Sequence, residues 1–117
     1  MKKVYVIEDD KNVANLLKLN LELENYQVEV FYNGEDGMKA VEESPPDIIL
    51  LDLRLPKLDG CEICRRVKSN PLTKGISITV ISAVREEEAG IPKHCLAGYI
   101  CKPFNIDYLL EHMKGII

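Results

Sequence analysis

Short apolar, β-branched runs recur five times along the chain, at Val4–Ile7, Val28–Phe31, Ile48–Leu51, Ile76–Ile81 and Tyr99–Cys101. The intervals carry apolar residues at steps of three and four, the spacing of one helix face. In the first interval Lys11, Asn15, Lys18, Glu22 and Asn25 form a polar stripe opposite Val13, Leu16, Leu17 and Leu21, with Asp10 placed to cap the helix. Asn33 can cap a second helix reaching about Glu43, where Ser44-Pro45-Pro46 must end it, because proline lacks an amide proton and restricts the residue before it. Asp59 can cap a third, with Ile63, Cys64 and Val67 inward. Asn105 opens the last, which puts Ile106, Leu109, Leu110, Met113 and Ile117 on one face and is expected to run to the end of the chain. Between Ala83 and Leu96, Gly90 and Pro92 interrupt the pattern, and a short or irregular fourth helix is expected.

Strand followed by helix, five times over, means a parallel sheet with helices on both faces and right-handed crossovers. Such strands are buried on both sides and read as continuous apolar runs, as Ile48–Leu51 does. With 117 residues the chain is long enough for one real core and too short for two, so residues 1–117 are expected to form a single α/β domain.

Charge narrows the function. A net charge of −4 and a pI near 5.2 supply no basic field for a phosphate backbone or an anionic membrane, so neither nucleic acid nor membrane is an expected partner. No apolar stretch approaches membrane-spanning length, and "MKKVYVIEDD" turns acidic too early for a secretory signal; a soluble, cytoplasmic protein is expected. Cys61 and Cys64 form a Cys-x-x-Cys pair, but they fall inside a helical pattern and no further ligands complete a zinc site. Together with Cys95 and Cys101 they are expected to be buried, inert thiols.

The chemistry lies where the strands stop. Val4–Ile7 is followed by Glu8-Asp9-Asp10, Ile48–Leu51 by Asp52, Ile78–Ile81 by Ser82, and Tyr99–Cys101 by Lys102-Pro103. In a parallel sheet all carboxyl ends lie along one edge, so these residues converge on the usual ligand crevice of open α/β folds. Carboxylates packed this closely raise one another's pKa unless neutralised. Lys102 offsets one charge, and a divalent cation would offset the rest. Oxygen ligands without His or Cys favour Mg²⁺, which takes one or two carboxylates, keeps water and partners a phosphate. No Gly-rich nucleotide loop is present, which leaves a carboxylate as the phosphate acceptor.

Four segments in this order, "VYVIEDD", "DIILLDLRLPKLDG", "ITVISA" and "GYICKPF", resemble the receiver domain of two-component response regulators, the CheY-like family, over essentially the whole chain. The resemblance implies a flavodoxin-like (βα)5 sheet of strand order 2-1-3-4-5. It implies that Asp52 accepts a phosphoryl group from a phosphohistidine on a sensor histidine kinase or phosphotransfer protein. Glu8, Asp9, Asp52 and the backbone carbonyl of Arg54 would hold Mg²⁺. Lys102 would pair with phosphoryl oxygens, Ser82 would bond one of them, and Tyr99 would rotate into the space Ser82 vacates. Arg54 and Val84 occupy places that tune phosphoryl lifetime in the family, and Lys102-Pro103 resembles the family's cis peptide. The protein is then a signalling module and not an enzyme beyond intrinsic phosphotransfer and self-dephosphorylation. Its output would pass to a downstream protein target, or to an output domain missing from this chain.

Two alternatives differ in kind. A receiver-like scaffold would act by protein binding without phosphorylation, yet Glu8, Asp9, Asp52, Ser82 and Lys102 are all present. A small hydrolase with an aspartyl-phosphate intermediate needs a second aspartate two residues after the nucleophile, where this chain has Arg54.

Overall fold

The computed structural model describes residues 1–116. Five strands, β1 (Lys3–Ile7), β2 (Gln27–Phe31), β3 (Ile48–Leu51), β4 (Ser77–Ser82) and β5 (Gly98–Cys101), form one sheet in the order β2-β1-β3-β4-β5. Every pairing is parallel. The helices are α1 (Lys11–Leu23), α2 (Gly34–Glu43), α3 (Gly60–Ser69), α4 (Glu86–Ala89) and α5 (Ile106–Lys114), with a 3₁₀ turn at Lys93–Cys95. The expected architecture and strand order are the observed ones.

β3 explains the sheet's apolar runs. Ile48 and Leu50 face a core with Leu17 and Leu21 of α1 and Leu109 and Met113 of α5. Ile49 and Leu51 point the other way, into a core with Met38 and Val41 of α2 and Ile63 and Val67 of α3. Each of these four strand residues is at most 1 % exposed, worth about 1.5–3 kcal/mol apiece on transfer scales. A strand so held on both faces fixes whatever follows it.

The capping residues are those the sequence indicates. Asp10 accepts from the amides of Asn12 and Val13, Asn33 from Asp36, Asp59 from Glu62, and Asn105 from Tyr108. The inward face of α1 differs from the expected one: Ala14, Leu17 and Leu21 are buried, whereas Leu16 is 45 % exposed. A step of 100° from Leu17 turns Leu16 off the sheet, while Ala14 lies within the stripe. Asn25 lies beyond α1 in a left-handed conformation, φ 67°. The last helix stops at Lys114, with Gly115 closing it, short of the chain's end; Ile117 lies outside the described residues. α4 is a single turn ended by Gly90 at φ 71°, as the glycine and proline foreshadow. The cysteines depart further. Cys64 alone is buried, Cys95 is half-buried, and Cys61 and Cys101 are exposed. Cys61 is the second residue of α3, in the opening turn, because the helix begins directly after Asp59.

One close approach braces the loop after β3. A Cβ on Gly34 would lie 1.7 Å from the Leu58 carbonyl oxygen, and the Gly34 amide donates to the Pro56 carbonyl at 3.2 Å. Gly34→Ala should therefore lower stability by at least the ~1–3 kcal/mol typical of overpacking, read as a lower urea midpoint with an unchanged slope. An unchanged midpoint would mean that the loop yields freely.

Candidate functional site

The hydrogen-bond ladders continue one residue past the strands and carry the site residues with them. The Asp52 amide donates to the Ile7 carbonyl at 3.0 Å, the Glu8 amide to Phe31 at 2.9 Å, and the Lys102 amide to Ser82 at 2.9 Å. Four strand ends thus present their side chains to one crevice. The Lys102–Pro103 peptide is cis.

Asp52 lies at the centre, 7 % exposed. Its Oδ1 accepts from Ser82 Oγ at 3.0 Å and from the Arg54 amide at 3.2 Å, while Oδ2 accepts from Lys102 Nζ at 3.0 Å. Lys102 Nζ also meets Glu8 Oε1 at 2.7 Å, and Glu8 Oε2 accepts from the Asp10 amide at 3.0 Å. Glu8 and Ser82 are buried, and Asp9 is exposed at the rim. One carboxylate oxygen from each of Glu8, Asp9 and Asp52 lies within 4.8 Å of the other two. Glu8, Asp9, Asp52, Ser82 and Lys102 therefore meet, although they span positions 8 to 102. The Arg54 side chain points into solvent.

The family model for the response regulator receiver domain matches residues 4–114. The chain belongs to this family. It is 38 % identical over all 117 residues to the response regulator ArlR of Staphylococcus saprophyticus, and spans 53 % of that protein. It therefore covers about half the length of the curated relatives it matches. Among solved structures, it superposes on the response regulator TrrA of Thermotoga maritima in complex with Mg²⁺ and beryllofluoride (TM-score 0.88, 27 % identity, the whole of both chains). It also superposes on the phosphorylated cyanobacterial phytochrome response regulator RcpA (TM-score 0.82, 32 % identity, 98 % of this chain and 90 % of that one).

The electrostatics of this receiver domain are those of an anionic pocket with one resident cation. Burial pushes the Glu8 carboxyl above its usual 4.5 and the Asp52 charge adds to it, against the Lys102 and Asp10 hydrogen bonds. For Lys102 burial acts downward, but its bonds to Glu8 and Asp52 and their charges raise it overall. A carboxyl with a raised folded pKa contributes stability that is present below its unfolded value and lost as pH rises through the folded one. Glu8→Gln is expected to be more stable than the parent at neutral pH, the two converging below about pH 4.5. Urea unfolding between pH 4 and 8 measures this, and a parent more stable than Glu8→Gln at pH 7 would reverse the sign.

A second chain of contacts leaves the site on the β4 side. The Val84 amide donates to Ser82 Oγ at 3.3 Å, and the Tyr99 hydroxyl donates to the Val84 carbonyl. The Tyr99 ring is half-buried, and burial first, then the neighbouring Cys101, Cys61, Glu86 and Asp52, pushes its hydroxyl up to about 12, so it remains a donor. The sequence assigns no role to His112, yet its Nε2 lies 2.8 Å from Thr79 Oγ1 within β4, and its ring fills the space where a Gly98 Cβ would sit. A threonine in the middle of a two-face-buried strand is the signal that a polar partner is needed.

Proposed function

We propose that this domain is a phosphorylation-controlled signalling module in which Asp52 accepts a phosphoryl group from a phosphohistidine of a sensor histidine kinase or phosphotransfer protein. The observation that carries this reading is the position of Asp52: a rigid carboxylate with a hydroxyl and an ammonium on its oxygens and two further carboxylates within one cation's reach.

The donor set fits Mg²⁺. It offers only oxygen atoms, its excess of anions exceeds what Lys102 neutralises, and one member is exposed to water. Glu8, Asp9, Asp52 and the Arg54 backbone carbonyl would hold the ion, which when bound neutralises charge on the transferring phosphoryl oxygens. The chain's own residues do the rest. An Asp52 oxygen attacks phosphorus in line, forming the P–O bond as the P–N bond to the donor imidazole breaks. Lys102, already on Oδ2, shifts its hydrogen bond to a phosphoryl oxygen, and Ser82 Oγ exchanges its carboxylate partner for another. Positioning and charge stabilisation suffice for a loose transition state.

Phosphorylation adds roughly −1.5 to −2 charge and three acceptor oxygens. Ser82 and the loop through Val84 are then drawn inward. The Tyr99 hydroxyl is bonded to Val84, so movement of that loop releases or redirects the ring. The surface of α4, β5 and α5 is the face this would alter, and Arg54 and Val84 stand where they would control water access to the phosphoryl group. Residues 1–117 are read as one receiver unit in the cytoplasm, passing its signal to a downstream protein target or to an output domain of a longer regulator. The 53 % coverage of the ArlR relative supports the second route. No helix of the described residues is long and apolar enough to cross a membrane.

Incubation with Mg²⁺ and acetyl phosphate, followed by intact-mass measurement, tests the reading. A single phosphoryl adduct that needs Mg²⁺ is expected. Its absence under every donor would leave a protein-binding scaffold, and rapid turnover of unrelated phosphoesters would mark a hydrolase.

A further inference from the structure

Leu16, Leu19 and Leu23 lie in one line on the outer side of α1. At about 100° per residue they fall within about 60° of one another and nearly opposite Ala14, Leu17 and Leu21, which the core covers. Their exposures are 45 %, 60 % and 71 %. Single exposed leucines are ordinary, but a line of them over two turns is accounted for neither by the core nor by the acidic site. We propose that this stripe packs on the same stripe of a second copy, α1 against α1 and antiparallel.

The flanking charges select the occupant. Lys18 and Glu22 stand together along one border of the stripe, 2.6 Å apart and both well exposed. Asn20, on the other border, is uncharged and donates back to the Leu16 carbonyl at 2.8 Å. A twofold axis across two antiparallel helices brings each border against the same border of the other copy. The stripe's midpoint falls between Leu19 and Asn20, and that of the Lys18–Glu22 pair falls on Asn20, within about 1 Å along the helix. The operation that lays Leu16 opposite the partner's Leu23, and Leu19 beside the partner's Leu19, therefore also lays Lys18 opposite the partner's Glu22, twice. Within one chain, Lys before Glu is the less favourable order on a helix. Across the axis each charge gains a second partner of opposite sign. A partner surface of uniform charge would not suit a border that carries one charge of each kind.

Two turns of helix make a small contact beside the ~800 Å² per partner of a standard interface. The pairing should therefore be weak and concentration-dependent, with a Kd in the micromolar to millimolar range. α1 begins beside Asp10 at the acidic crevice, and the stripe occupies its second half. Pairing and phosphoryl acceptance thus use different residues.

Sedimentation equilibrium of the full chain, without Mg²⁺ or a phosphoryl donor and from about 10 μM to about 1 mM, should show reversible association of monomers into dimers. Leu19→Glu, at an exposed position, should weaken it at least about tenfold while leaving the urea midpoint of the dilute protein unchanged. Lys18→Glu and Glu22→Lys should each weaken self-association, because each makes the border uniform in charge. An equimolar mixture of these two variants should pair at least as tightly as the parent, since the acidic border of one then meets the basic border of the other. A chain that stays monomeric to about 1 mM would overturn the proposal and leave the stripe to a different protein. A dimer that survives Leu19→Glu, or a mixture that pairs no more tightly than its components, would overturn it as well. None of these readouts depends on phosphorylation of Asp52.

Discussion

Lys102→Met is expected to destabilise the domain by about 3 kcal/mol at pH 7, the lower end of what breaking a buried ion pair costs. The ammonium is the cation that contacts both Glu8, at 2.7 Å, and Asp52, at 3.0 Å, and the two carboxylates are 3 % and 8 % exposed at their side chains. Without it, two buried anions face each other. The loss sits at the lower end because Glu8, whose carboxyl already lies above its usual value, can take up a proton and remove one charge. The deficit should therefore shrink as pH falls through the folded pKa of Glu8 and grow above it. Added Mg²⁺ should recover part of the stability at pH 7, because a divalent cation replaces the missing charge. Urea unfolding of parent and variant across pH, with and without Mg²⁺, measures all three effects. A deficit that ignores both pH and Mg²⁺ would show that Lys102 acts only through packing.

Asp52→Asn should abolish the phosphoryl adduct completely while leaving the fold intact, with a stability change within ~1 kcal/mol. The amide oxygen can still accept from Ser82 Oγ and the Arg54 amide, and Lys102 keeps Glu8 as its partner. The variant also removes the Asp52 charge that repels Glu8, which offsets the lost pair with Lys102. An intact mass that gains a phosphoryl group in Asp52→Asn would place the acceptor elsewhere, and an unfolded variant would leave Asp52 as a structural anchor.

Much of this was legible because it depends on local rules. A four-residue apolar run between Pro45-Pro46-Asp47 and Asp52 is too short for a helix and reads as a strand buried on both faces, and Ile48–Leu51 is one. Asp10, Asn33, Asp59 and Asn105 each stand immediately before an amphipathic run, so their capping bonds follow from short-range geometry. The site was legible for a related reason: strand ends in a parallel sheet share an edge, which gathers distant residues without any tertiary detail. The exposure of Leu16 and Cys61 was not, because periodicity gives a stripe's direction but not which edge of it the sheet covers. The pairing of His112 with Thr79 required knowing that α5 crosses β4, a fact that no local pattern contains. The strand order itself came from family resemblance, since alternation alone allows several parallel sheets.

The most direct measurement locates the phosphoryl group. After reaction with acetyl phosphate and Mg²⁺, borohydride reduction converts an acyl phosphate to an alcohol at the residue that carried it, and peptide mass spectrometry then reads the position. A single modified residue, Asp52, is expected within the peptide that runs on from β3, and none when Mg²⁺ is withheld. Modification at Glu8 or Asp9, or at Asp52 irrespective of Mg²⁺, would contradict it.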